Sequence, residues 1–546
     1  MALKKSVHNM TDYEATVRAF RLEVPGRFNF ARDVVGRWAR DPAKLAMHWL
    51  GHDGSEKKIT FREFDERSDR FAAVLQTRGI KPGDRVMVQL PRLPAWWEVL
   101  LGCLKAGAVA VPGSVLLTPN DILYRTQLAE AAAYVTDGDG AGKVDQVRAE
   151  CSSLRELFVV GAERGGWRSY EAELAVAGSP RRVDTASEDP ALIYFTSGTV
   201  GKPKMVLHTH ASYPIGHIVT GRFWLDLRPD DLHLNLSETG WAKAAWSSFF
   251  GPWNMGAALF VQDARGKFSA SDTLAVLENY PITTFCAPPT AYRMLVLEDL
   301  GGRRLHLRHC VGAGEPLNPE VIATWERGTG LTIRDGYGQT ETVLLCGNFP
   351  PLEVRPGSMG KPSPTLQVAV IDEEGGPLSH DSEGDIAVRV RPERPVGLFK
   401  EYWRNPEASQ ACMRGDWYVT GDRARVDPDG YFWFVGRADD VIISAGYRIG
   451  PFEVESALVE HPAVAEAAVV GKVDPMRGTI VRAFVILAPG HQGSDQLVSE
   501  LQEHVKKVTA AYKYPREIEF VSELPKTISG KIRRVELRQR KQASKG

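Results

Sequence analysis

The sequence predicts an α/β protein with two domains. Strand-like apolar runs alternate with amphipathic helical patterns up to about residue 400, which is typical of sheets of parallel or mixed strands flanked by helices. Beyond about Arg437 the runs become shorter and the order changes, which indicates a small α+β domain. The length of 546 residues also exceeds what one hydrophobic core normally supports. We therefore expect a large domain over 1–438 and a small domain over 439–546.

The first strong helical pattern covers residues 59–84. Phe64, Phe71 and Leu75 recur on one face, and Gly79 is expected to end the helix.

A strand–helix–strand unit follows. RVMVQL (85–90) and AVAVP (108–112) read as strands, and PAWWEVLLGCLKAG (94–107) between them reads as a helix. A connection of this kind predicts a right-handed crossover between parallel strands.

The C-terminal hundred residues carry three strand patterns and two helical ones. The strands are expected in AEAAVVGKV (465–473), VRAFVILAPG (481–490) and EIEFVSEL (517–524), and the helices in FEVESALVEH (452–461) and QLVSELQEHVKKV (496–508).

Composition and charge exclude several classes of protein. The hydrophobic fraction of 43% and charged fraction of 25% are those of a globular protein, and the net charge of −1 gives no general attraction to nucleic acid. The six cysteines are scattered without a C-x-x-C pair, which argues against a disulfide framework and a zinc site. They are Cys103, Cys151, Cys286, Cys310, Cys346 and Cys412.

No sorting signal or membrane span is apparent in the sequence. Residues 1–20 contain no long apolar core, and no stretch approaches the roughly 18 apolar residues that a membrane span needs. We therefore expect a cytoplasmic protein without a membrane span. The sequence does not indicate an oligomeric state.

The stretch TSGTVGKPK follows the apolar run ALIYF and is rich in groups that suit phosphate. Its glycines permit close backbone approach, its hydroxyls donate hydrogen bonds, and its lysines supply positive charge. It is not a Walker motif, because Lys202 is followed by Pro203. A mobile polar turn and a phosphate loop are both compatible with its composition. Its residues are Thr196, Ser197, Gly198, Thr199, Val200, Gly201, Lys202, Pro203 and Lys204.

Two further clusters favour a nucleotide site. In DGYGQTE (335–341), Tyr337 can stack on a base, Thr340 can donate to a phosphate or carboxylate, and Glu341 can bind Mg²⁺. In YVTGDRA (418–424), the two carboxylate oxygens of Asp422 can accept both hydroxyls of a ribose.

The last two clusters lie near the C-terminus and carry charged side chains. GRADDVIISAGYRIGPFEVE (436–455) contains Arg437 and a pair of aspartates, and LPKTISGKIRR (524–534) sets Lys531 in a glycine-containing turn. An ordinary charged turn would explain any one of these clusters taken alone.

Taken together and in this order, the clusters resemble one protein family over about residues 30 to 540. This is the acyl-adenylate-forming superfamily of acyl- and aryl-CoA synthetases, luciferases and peptide-synthetase adenylation domains. SETGW (237–241), GYRIGPFEVESAL (446–458), HPAVAEAAVV (461–470) and YKYPREIEF (512–520) are most similar to the medium-chain acyl-CoA synthetases.

The resemblance implies a ligase that uses ATP, Mg²⁺ and coenzyme A in two half-reactions. A carboxylic acid first attacks the α-phosphorus of ATP, giving an acyl-adenylate and pyrophosphate. The thiol of coenzyme A then attacks the acyl carbonyl, and AMP leaves.

The resemblance also implies roles for individual residues in the first half-reaction. Residues 196–204 should hold the β- and γ-phosphates, and Lys531 should bridge the carboxylate and the α-phosphate. Thr340 should lie near the α-phosphate and Glu341 near Mg²⁺, while Asp422, helped by Arg437, should bind the ribose. The residues expected to frame the adenine or complete the ATP site are Gly314, Glu315, Pro316, Asp335, Gly336, Tyr337, Gly338 and Gln339.

For the second half-reaction, the resemblance implies a mobile C-terminal domain that turns about a hinge at Asp439. The rotation should withdraw Lys531 and open a route for the thiol. Ala445, Gly446 and Tyr447 should line the pantetheine tunnel. Arg448, Arg477 and Lys506, together with Gln127, are candidates for binding the rest of coenzyme A. Plain surface charge is the alternative interpretation of the basic residues.

The acid is expected to be larger than acetate. Acetyl-CoA synthetases carry a tryptophan at the position equivalent to Gly338, so glycine should leave a deeper pocket. Trp241 is expected to form a wall of that pocket, with an ordinary core tryptophan as the alternative. A medium-chain fatty acid is favoured, and a branched acid or benzoate remains open.

Two rival functions also remain open. One is a stand-alone adenylation enzyme that charges a carrier protein, and the other is a nucleotide-binding protein without catalytic activity. The joint presence of Thr196, Glu341, Asp422, Arg437 and Lys531 argues against the second.

Overall fold

The structure is a computed structural model that describes residues 8–196, 203–444, 447–474, 478–526 and 531–540, and only the backbone of Arg448. It confirms the predicted fold class, with large mixed sheets flanked by helices in the N-terminal part and a smaller α+β part at the C-terminus.

One sheet has eight strands among the described residues and is parallel except at one edge, where the strand pairs become antiparallel. In spatial order its strands are Glu401–Tyr402, Met205–Thr209, Pro190–Phe195, Val109–Pro112, Arg85–Gln89, Ala133–Asp137, Glu156–Val160 and Arg168–Ser169. The predicted crossover is confirmed, because strand Arg85–Gln89 pairs in parallel with Val109–Pro112.

A second sheet contains nine strands in the described part of the chain. It is parallel at its centre and antiparallel at both edges. Its order is Lys361–Pro362, Leu344–Gly347, Ile333–Gly338, His309–Ala313, Thr284–Ala287, Leu232–Asn235, Ala258–Gln262, Leu45–Leu50 and Glu56–Thr60.

The predicted amphipathic helix is present as Phe61–Thr77. Thr60 and Glu63 form a reciprocal capping box at its start, which satisfies backbone donors that the first turn leaves free. Phe64, Phe71 and Leu75 are fully buried, as their spacing predicts.

The alternation of strands and helices ends earlier than expected. Between residues 368 and 437, five described strands form a purely antiparallel sheet, while Glu401–Tyr402 belongs to the eight-stranded sheet and Pro406–Ala411 is a helix. The reason is visible in the connections: only the turn 427–431 separates its last two strands, whereas a parallel pair needs a crossover of a dozen residues or more. The strands are Val368–Ile371, Gly384–Arg389, Met413–Arg414, Trp417–Val426 and Phe432–Arg437.

The C-terminal part has the predicted α+β organisation. Strands Val464–Asp474 and Gly478–Leu487 are antiparallel, and Glu517–Phe520 joins them in parallel. A separate hairpin joins Ile442–Ser444 to Tyr447–Ile449. The two predicted helices are present as Pro451–Val459 and Asp495–Val508, and their apolar faces pack on the three-stranded sheet.

The remaining helices connect and cover the sheets, and no described helix is both long and apolar enough to cross a bilayer. Three short segments have π-helical geometry: Ala31–Val35, Thr220–Trp224 and Trp246–Phe250. Two single turns, Arg148–Glu150 and Ala511–Lys513, are 3₁₀ helices. The other helices are Tyr13–Ala19, Gly36–Trp38, Pro94–Ala106, Pro119–Ala129, Gly138–Asp145, Tyr170–Val176, Ser212–Val219, Ala242–Ala245, Gly251–Asn254, Ala270–Asn279, Pro289–Leu295, Pro319–Thr329, Pro406–Ala411 and Arg534–Gln539.

Candidate active site

A cavity of about 520 Å³ lies where the sheets and the C-terminal part meet. It contains most of the residues that the sequence predicted for the ATP site. The predicted residues that line it are Thr196, Lys204, Gly314, Glu315, Pro316, Asp335, Gly336, Tyr337, Gly338, Gln339, Thr340, Glu341, Asp422, Arg437, Asp439 and Lys531.

The nine-stranded sheet supplies one wall of the cavity. Strands His309–Ala313 and Ile333–Gly338 are parallel neighbours, so their carboxyl ends lie at the same edge. Gly314–Pro316 follows the first strand, and 337–341 lies at the end of the second. Ligands of open α/β sheets usually bind at such an edge.

Asp422 is buried and held by neutral donors. Its Oδ2 accepts hydrogen bonds of 2.6 Å from the hydroxyl of Tyr337 and from Nε2 of Gln339. Its Oδ1 lies 3.3 Å from Nη1 of Arg437. Because Oδ2 already has two donors, Oδ1 keeps more acceptor capacity for a ligand hydroxyl than Oδ2 does.

Glu341 is a second buried carboxylate in the cavity, 9% exposed. The hydroxyl of Tyr402 donates to its Oε1 over 2.8 Å, and the backbone N–H of Phe399 donates to its carbonyl over 2.7 Å. Burial raises the pKa of Glu341.

The donor set around Glu341 suits Mg²⁺ bound together with a nucleotide. The described residues contain no cluster of three or more His, Cys, Asp or Glu side chains that could hold a metal ion alone. Mg²⁺ commonly takes one or two carboxylates and completes its shell with phosphate oxygens and water. Glu341 as the one carboxylate ligand, with phosphate oxygens and water completing the shell, fits that pattern.

Two buried rings, those of His208 and Tyr213, hold the backbone carbonyl of Thr340 in place. Nε2 of His208 lies 2.8 Å from this oxygen, and the hydroxyl of Tyr213 donates to it. Burial lowers the pKa of His208 to about 3, so the imidazole is neutral near pH 7 and the hydrogen bond places its proton on Nε2. These contacts give His208 a structural role.

The ends of the predicted phosphate loop are tied together. The N–H of Thr196 donates to the carbonyl of Lys204 over 2.9 Å, and the N–H of Lys204 donates to Oγ1 of Thr196 over 3.0 Å. Pro203 does not line the cavity, and its carbonyl accepts from the hydroxyl of Tyr124 over 3.2 Å. Residues 197–202 lie outside the described residues.

Lys531 enters the cavity from the C-terminal part of the chain. The helix Arg534–Gln539 that follows it is anchored by two arginines. Arg534 forms an ion pair of 2.7 Å with Glu455, and Arg538 forms one with Asp440. Arg538 also donates to the carbonyl of Asp439 over 3.2 Å.

These contacts bring residues from both ends of the chain around one cavity. The two parts also touch directly, because Nδ2 of Asn318 donates to Oγ of Ser456 over 3.2 Å. The family model described as "AMP-binding enzyme" matches residues 35–403, and the model "AMP-binding enzyme C-terminal domain" matches residues 453–531. The chain belongs to the AMP-binding enzyme family.

Relatives within this family agree with the predicted activity. The mouse protein "Acyl-coenzyme A synthetase ACSM3, mitochondrial" is 49% identical over 97% of this chain and 94% of its own length. The crystal structure of a Brucella canis acyl-CoA synthetase is 35% identical and covers 97% of this chain and 99% of its own, with a TM-score of 0.75. The anthranilate CoA ligase AuaEII in complex with anthranoyl-AMP is 31% identical, covers 94% and 98%, and has a TM-score of 0.87.

The predicted family and activity are thereby confirmed. The protein is an ATP-dependent, AMP-forming acyl-CoA synthetase close to the medium-chain group, and it uses a carboxylic acid, ATP, Mg²⁺ and coenzyme A.

The expected cytoplasmic location is contradicted, because the mammalian relatives are named as mitochondrial enzymes. The amino-acid composition of a folded enzyme says little about its compartment. The lack of a long apolar core in residues 1–20 does not exclude a mitochondrial location.

The role of Trp241 as a wall of the acyl pocket stays a prediction. Trp241 does not line the cavity, and its Nε1 is buried without a hydrogen-bond partner. Trp246, from the π-helical segment Trp246–Phe250, does not line the cavity either, but its indole lies beside Gly338. A Cβ placed on Gly338 would lie 2.4 Å from Cη2 of Trp246, so the space that glycine leaves is occupied by this indole.

The described candidates for coenzyme A binding lie outside the cavity. Tyr447 is half exposed and stacks on Tyr512 with ring centroids 4.3 Å apart. Nζ of Lys506 lies 2.6 Å from Oε1 of Glu503, and Gln127 donates to the carbonyl of Glu150 over 3.0 Å. Ala445, Gly446, Arg477 and the side chain of Arg448 lie outside what the structure describes.

Several cavity residues were missed by sequence reasoning. Some stand within the recognised clusters, such as Thr420 beside Asp422 and Asp440 beside Asp439, and their position was an available signal. Tyr402 lies in the unremarkable stretch KEYW and had no such signal. The missed residues are Arg293, Asn318, Met359, Tyr402, Thr420, Phe434, Gly436, Asp440, Pro451, Phe452, Glu455, Val459, Glu466, Ala467, Ile532 and Arg534.

Proposed function

We propose that this cavity is the adenylation site and that the preferred acid is a medium-chain fatty acid. The observation that carries the proposal is that Lys531 lines the same cavity as Thr340, Glu341 and Asp422, although it is far from them in sequence. This is the arrangement that the first half-reaction requires.

In the first half-reaction, a carboxylate oxygen of the acid attacks the α-phosphorus of ATP. The bond to the β,γ-diphosphate breaks, and pyrophosphate leaves. Because an anion must approach a polyanion, positive charge and hydrogen-bond donors should supply most of the catalysis. Lys531 is assigned to the carboxylate and α-phosphate, since its long side chain carries a point charge that can span both groups. Thr340 is assigned as a donor to the same groups.

The adenosine end of the nucleotide is proposed to contact both neutral and charged side chains. Residues Gly314–Pro316 and 335–339 are proposed to enclose the adenine, with Tyr337 as the stacking ring. Asp422, oriented by Tyr337 and Gln339, accepts from the ribose, and Arg437 supports it. Glu341 would hold Mg²⁺, which when bound draws negative charge from the phosphates.

For the second half-reaction we propose rotation of residues 439–546 against 1–438, with Asp439 as the hinge. The sulfur of coenzyme A attacks the acyl carbonyl, the bond to the AMP oxygen breaks, and the thiol proton passes to solvent. Tyr447 and Lys506, which are surface residues here, together with Ala445, Gly446, Arg448, Arg477 and Gln127, are the proposed contacts of coenzyme A.

The acid is proposed from three considerations. The relatives carry the name acyl-coenzyme A synthetase, Gly338 has no side chain that would fill the acyl site, and Trp246, whose indole takes the space beside Gly338, is the proposed wall. An aromatic acid is the second candidate, because a structural neighbour binds anthranoyl-AMP. A branched-chain acid remains open as a variant of the first candidate, the medium-chain fatty acid.

Pyrophosphate exchange tests the proposal most directly, because it reports adenylation without coenzyme A. We expect exchange with C4 to C10 acids to exceed exchange with acetate and benzoate. Highest exchange with benzoate would favour the aryl ligase instead. Exchange without AMP release on adding coenzyme A would favour charging of a carrier protein.

A further inference from the structure

A short segment, residues 399–403, joins two parts of the proposed site. Its strand Glu401–Tyr402 pairs antiparallel with Met205–Thr209, which begins one residue after Lys204. The N–H groups of Lys400 and Trp403 donate to the carbonyls of Leu207 and Met205, each over 2.8 Å. The segment is therefore fixed to the exit of the phosphate loop.

The same segment holds Glu341 at two points. The backbone N–H of Phe399 donates to the carbonyl of Glu341 over 2.7 Å. The side chain of Tyr402, only 7% exposed, donates from its hydroxyl to Oε1 of Glu341 over 2.8 Å. Both the backbone and the carboxylate of Glu341 are thus positioned by residues 399–402.

Tyr402 makes a second contact with its ring. Nζ of Lys204 lies 4.8 Å from the ring centroid, within the range of a cation–π interaction. One side chain therefore contacts a carboxylate with its hydroxyl and an ammonium group with its ring.

The phenol of Tyr402 is neutral, so it contacts Lys204 and Glu341 without cancelling the charge of either. In a direct ion pair, Lys204 and Glu341 would neutralise each other and compete with the substrate. No such ion pair is present in the described residues. Tyr402 orients both groups and leaves the ammonium free to attract a phosphate and the carboxylate free to attract a cation.

We propose that Tyr402 is a positioning residue that fixes the Glu341 carboxylate and the Lys204 ammonium on the two sides of the polyphosphate and metal position. The inference rests on the proposed roles of Glu341 and Lys204. The hydroxyl of Tyr402 orients Glu341, the proposed metal ligand, and its ring orients Lys204, which is proposed to bind the phosphates.

The two functions of Tyr402 can be separated by substitution. Tyr402→Phe removes the hydroxyl and keeps the ring, so it should weaken metal binding about tenfold, the usual effect of losing a partner that orients a metal ligand. Tyr402→Leu removes both, so it should in addition weaken binding of ATP in the absence of metal. Tyr170→Phe is the matched control, because Tyr170 is another buried tyrosine that donates to a carboxylate, Oε2 of Glu98 at 2.9 Å, outside the cavity.

The test measures binding of Mn²⁺ by the full-length enzyme with ATP, using electron paramagnetic resonance, and binding of ATP alone by calorimetry. The proposal predicts weaker Mn²⁺ binding for Tyr402→Phe, unchanged Mn²⁺ binding for Tyr170→Phe, and unchanged ATP binding without metal for both. In pyrophosphate exchange, Tyr402→Phe should raise the Mg²⁺ concentration needed for half-maximal rate, and saturating Mg²⁺ should restore most of the rate.

Glu341→Gln is measured in parallel to separate two kinds of failure. If Glu341→Gln weakens Mn²⁺ binding and Tyr402→Phe does not, the role of Tyr402 is wrong and the proposed metal ligand stands. If Glu341→Gln leaves Mn²⁺ binding unchanged, both assignments are wrong. Melting temperatures identify a misfolded variant, and Tyr402→Phe decides the question if Tyr402→Leu does not fold.

Discussion

The hydroxyl of Tyr337 donates a hydrogen bond of 2.6 Å to Oδ2 of Asp422, linking the end of a central strand to the antiparallel sheet. Tyr337 therefore has two functions, since its ring is available to a base and its hydroxyl orients the carboxylate assigned to the ribose. The pair couples recognition of the two halves of adenosine.

Substitution at this pair should weaken ATP binding. Tyr337→Phe keeps the ring and removes one hydrogen bond to a charged group, which is worth about 1.5–3 kcal/mol, so KM for ATP should rise about tenfold or more. KM for the acid should change little. Steady-state kinetics in ATP and in acid check this, with Tyr292→Phe, a buried hydroxyl on a backbone carbonyl outside the cavity, as control. Equal changes in both KM values would contradict the assignment.

Lys531→Ala should separate the two half-reactions. Removal of the bridging charge should lower the rate of adenylation of the free acid by at least about a hundredfold, in line with the loss of one electrostatic catalytic group. Conversion of a supplied acyl-adenylate to the thioester should be nearly unchanged. Both half-reactions are followed by quenched flow.

Lys472→Ala is the control for loss of a lysine from the C-terminal part, because Lys472 pairs with Glu517 and does not line the cavity. Equal losses in both half-reactions for Lys531→Ala would show that this lysine is needed for something other than adenylation.

Asp335 should make folding stability depend on pH. Burial raises its pKa to about 8, far above the ordinary value of 3.8, so the folded protein binds a proton more tightly than the unfolded chain. Its contribution is fully present below about pH 4 and is lost as pH rises towards about 8, at no more than about 1.4 kcal/mol per pH unit. Asp335→Asn keeps the neutral form at every pH.

The measurement is urea unfolding of both proteins at pH 5 and pH 8. We expect the free energy of unfolding of Asp335→Asn, relative to the native protein, to be higher at pH 8 than at pH 5. Asp184→Asn, at an exposed site, should show no such difference. A relative stability independent of pH would mean that Asp335 is ionised in the folded state.

Substitution of Trp246 should change the acid profile. Trp246→Ala removes the indole next to Gly338, so longer or broader acids should gain relative to butyrate by about 0.8 kcal/mol for each additional methylene buried. The variant should also lose about 3–5 kcal/mol of stability, as large-to-small changes in cores do. Competition between acids in pyrophosphate exchange measures the profile.

Gly338→Trp is the opposite change. The added side chain meets both Trp246 and the carbonyl of Val343, at 2.4 and 2.5 Å from the Cβ position. We therefore expect a shift towards acetate or propionate together with lower stability, and better stability when Trp246→Ala is added. An unchanged profile in both single variants would refute the proposed acyl wall.

The sequence predicted those parts of the site that depend on local chemistry. Residues 335–341, Asp422 and Lys531 stand in short clusters whose joint order resembles the family, and the structure places them around one cavity. Helix Phe61–Thr77 and the first crossover were equally accessible, because their apolar periodicity is strong.

What remained hidden depends on contacts between distant segments. Tyr402 acts through Glu341, 61 positions earlier in the chain, and nothing in its own neighbourhood signals that contact. Trp246 and Gly338 are brought together by packing between a π-helical segment and a strand, which the local sequence does not signal. The antiparallel sheet was missed because short strands and tight turns carry weak periodicity.

The contacts of Arg538 bear on the proposed rotation of the C-terminal part about Asp439. Arg538 binds the carbonyl of Asp439 and the carboxylate of Asp440, so the peptide plane between these residues is attached to the C-terminal body. Rotation about φ and ψ of Asp439 leaves both contacts of Arg538 intact, because both acceptors lie on the C-terminal side of these bonds. Rotation about φ of Asp440 would separate the two acceptors and break one of the contacts. The N–H of Asp440 also donates to the carbonyl of Arg437 over 2.9 Å, and this bond must open in any large swing about Asp439. The N–H of Val441 donates to the same carbonyl over 3.2 Å, so the proposed rotation about Asp439 would have to open two backbone hydrogen bonds to Arg437.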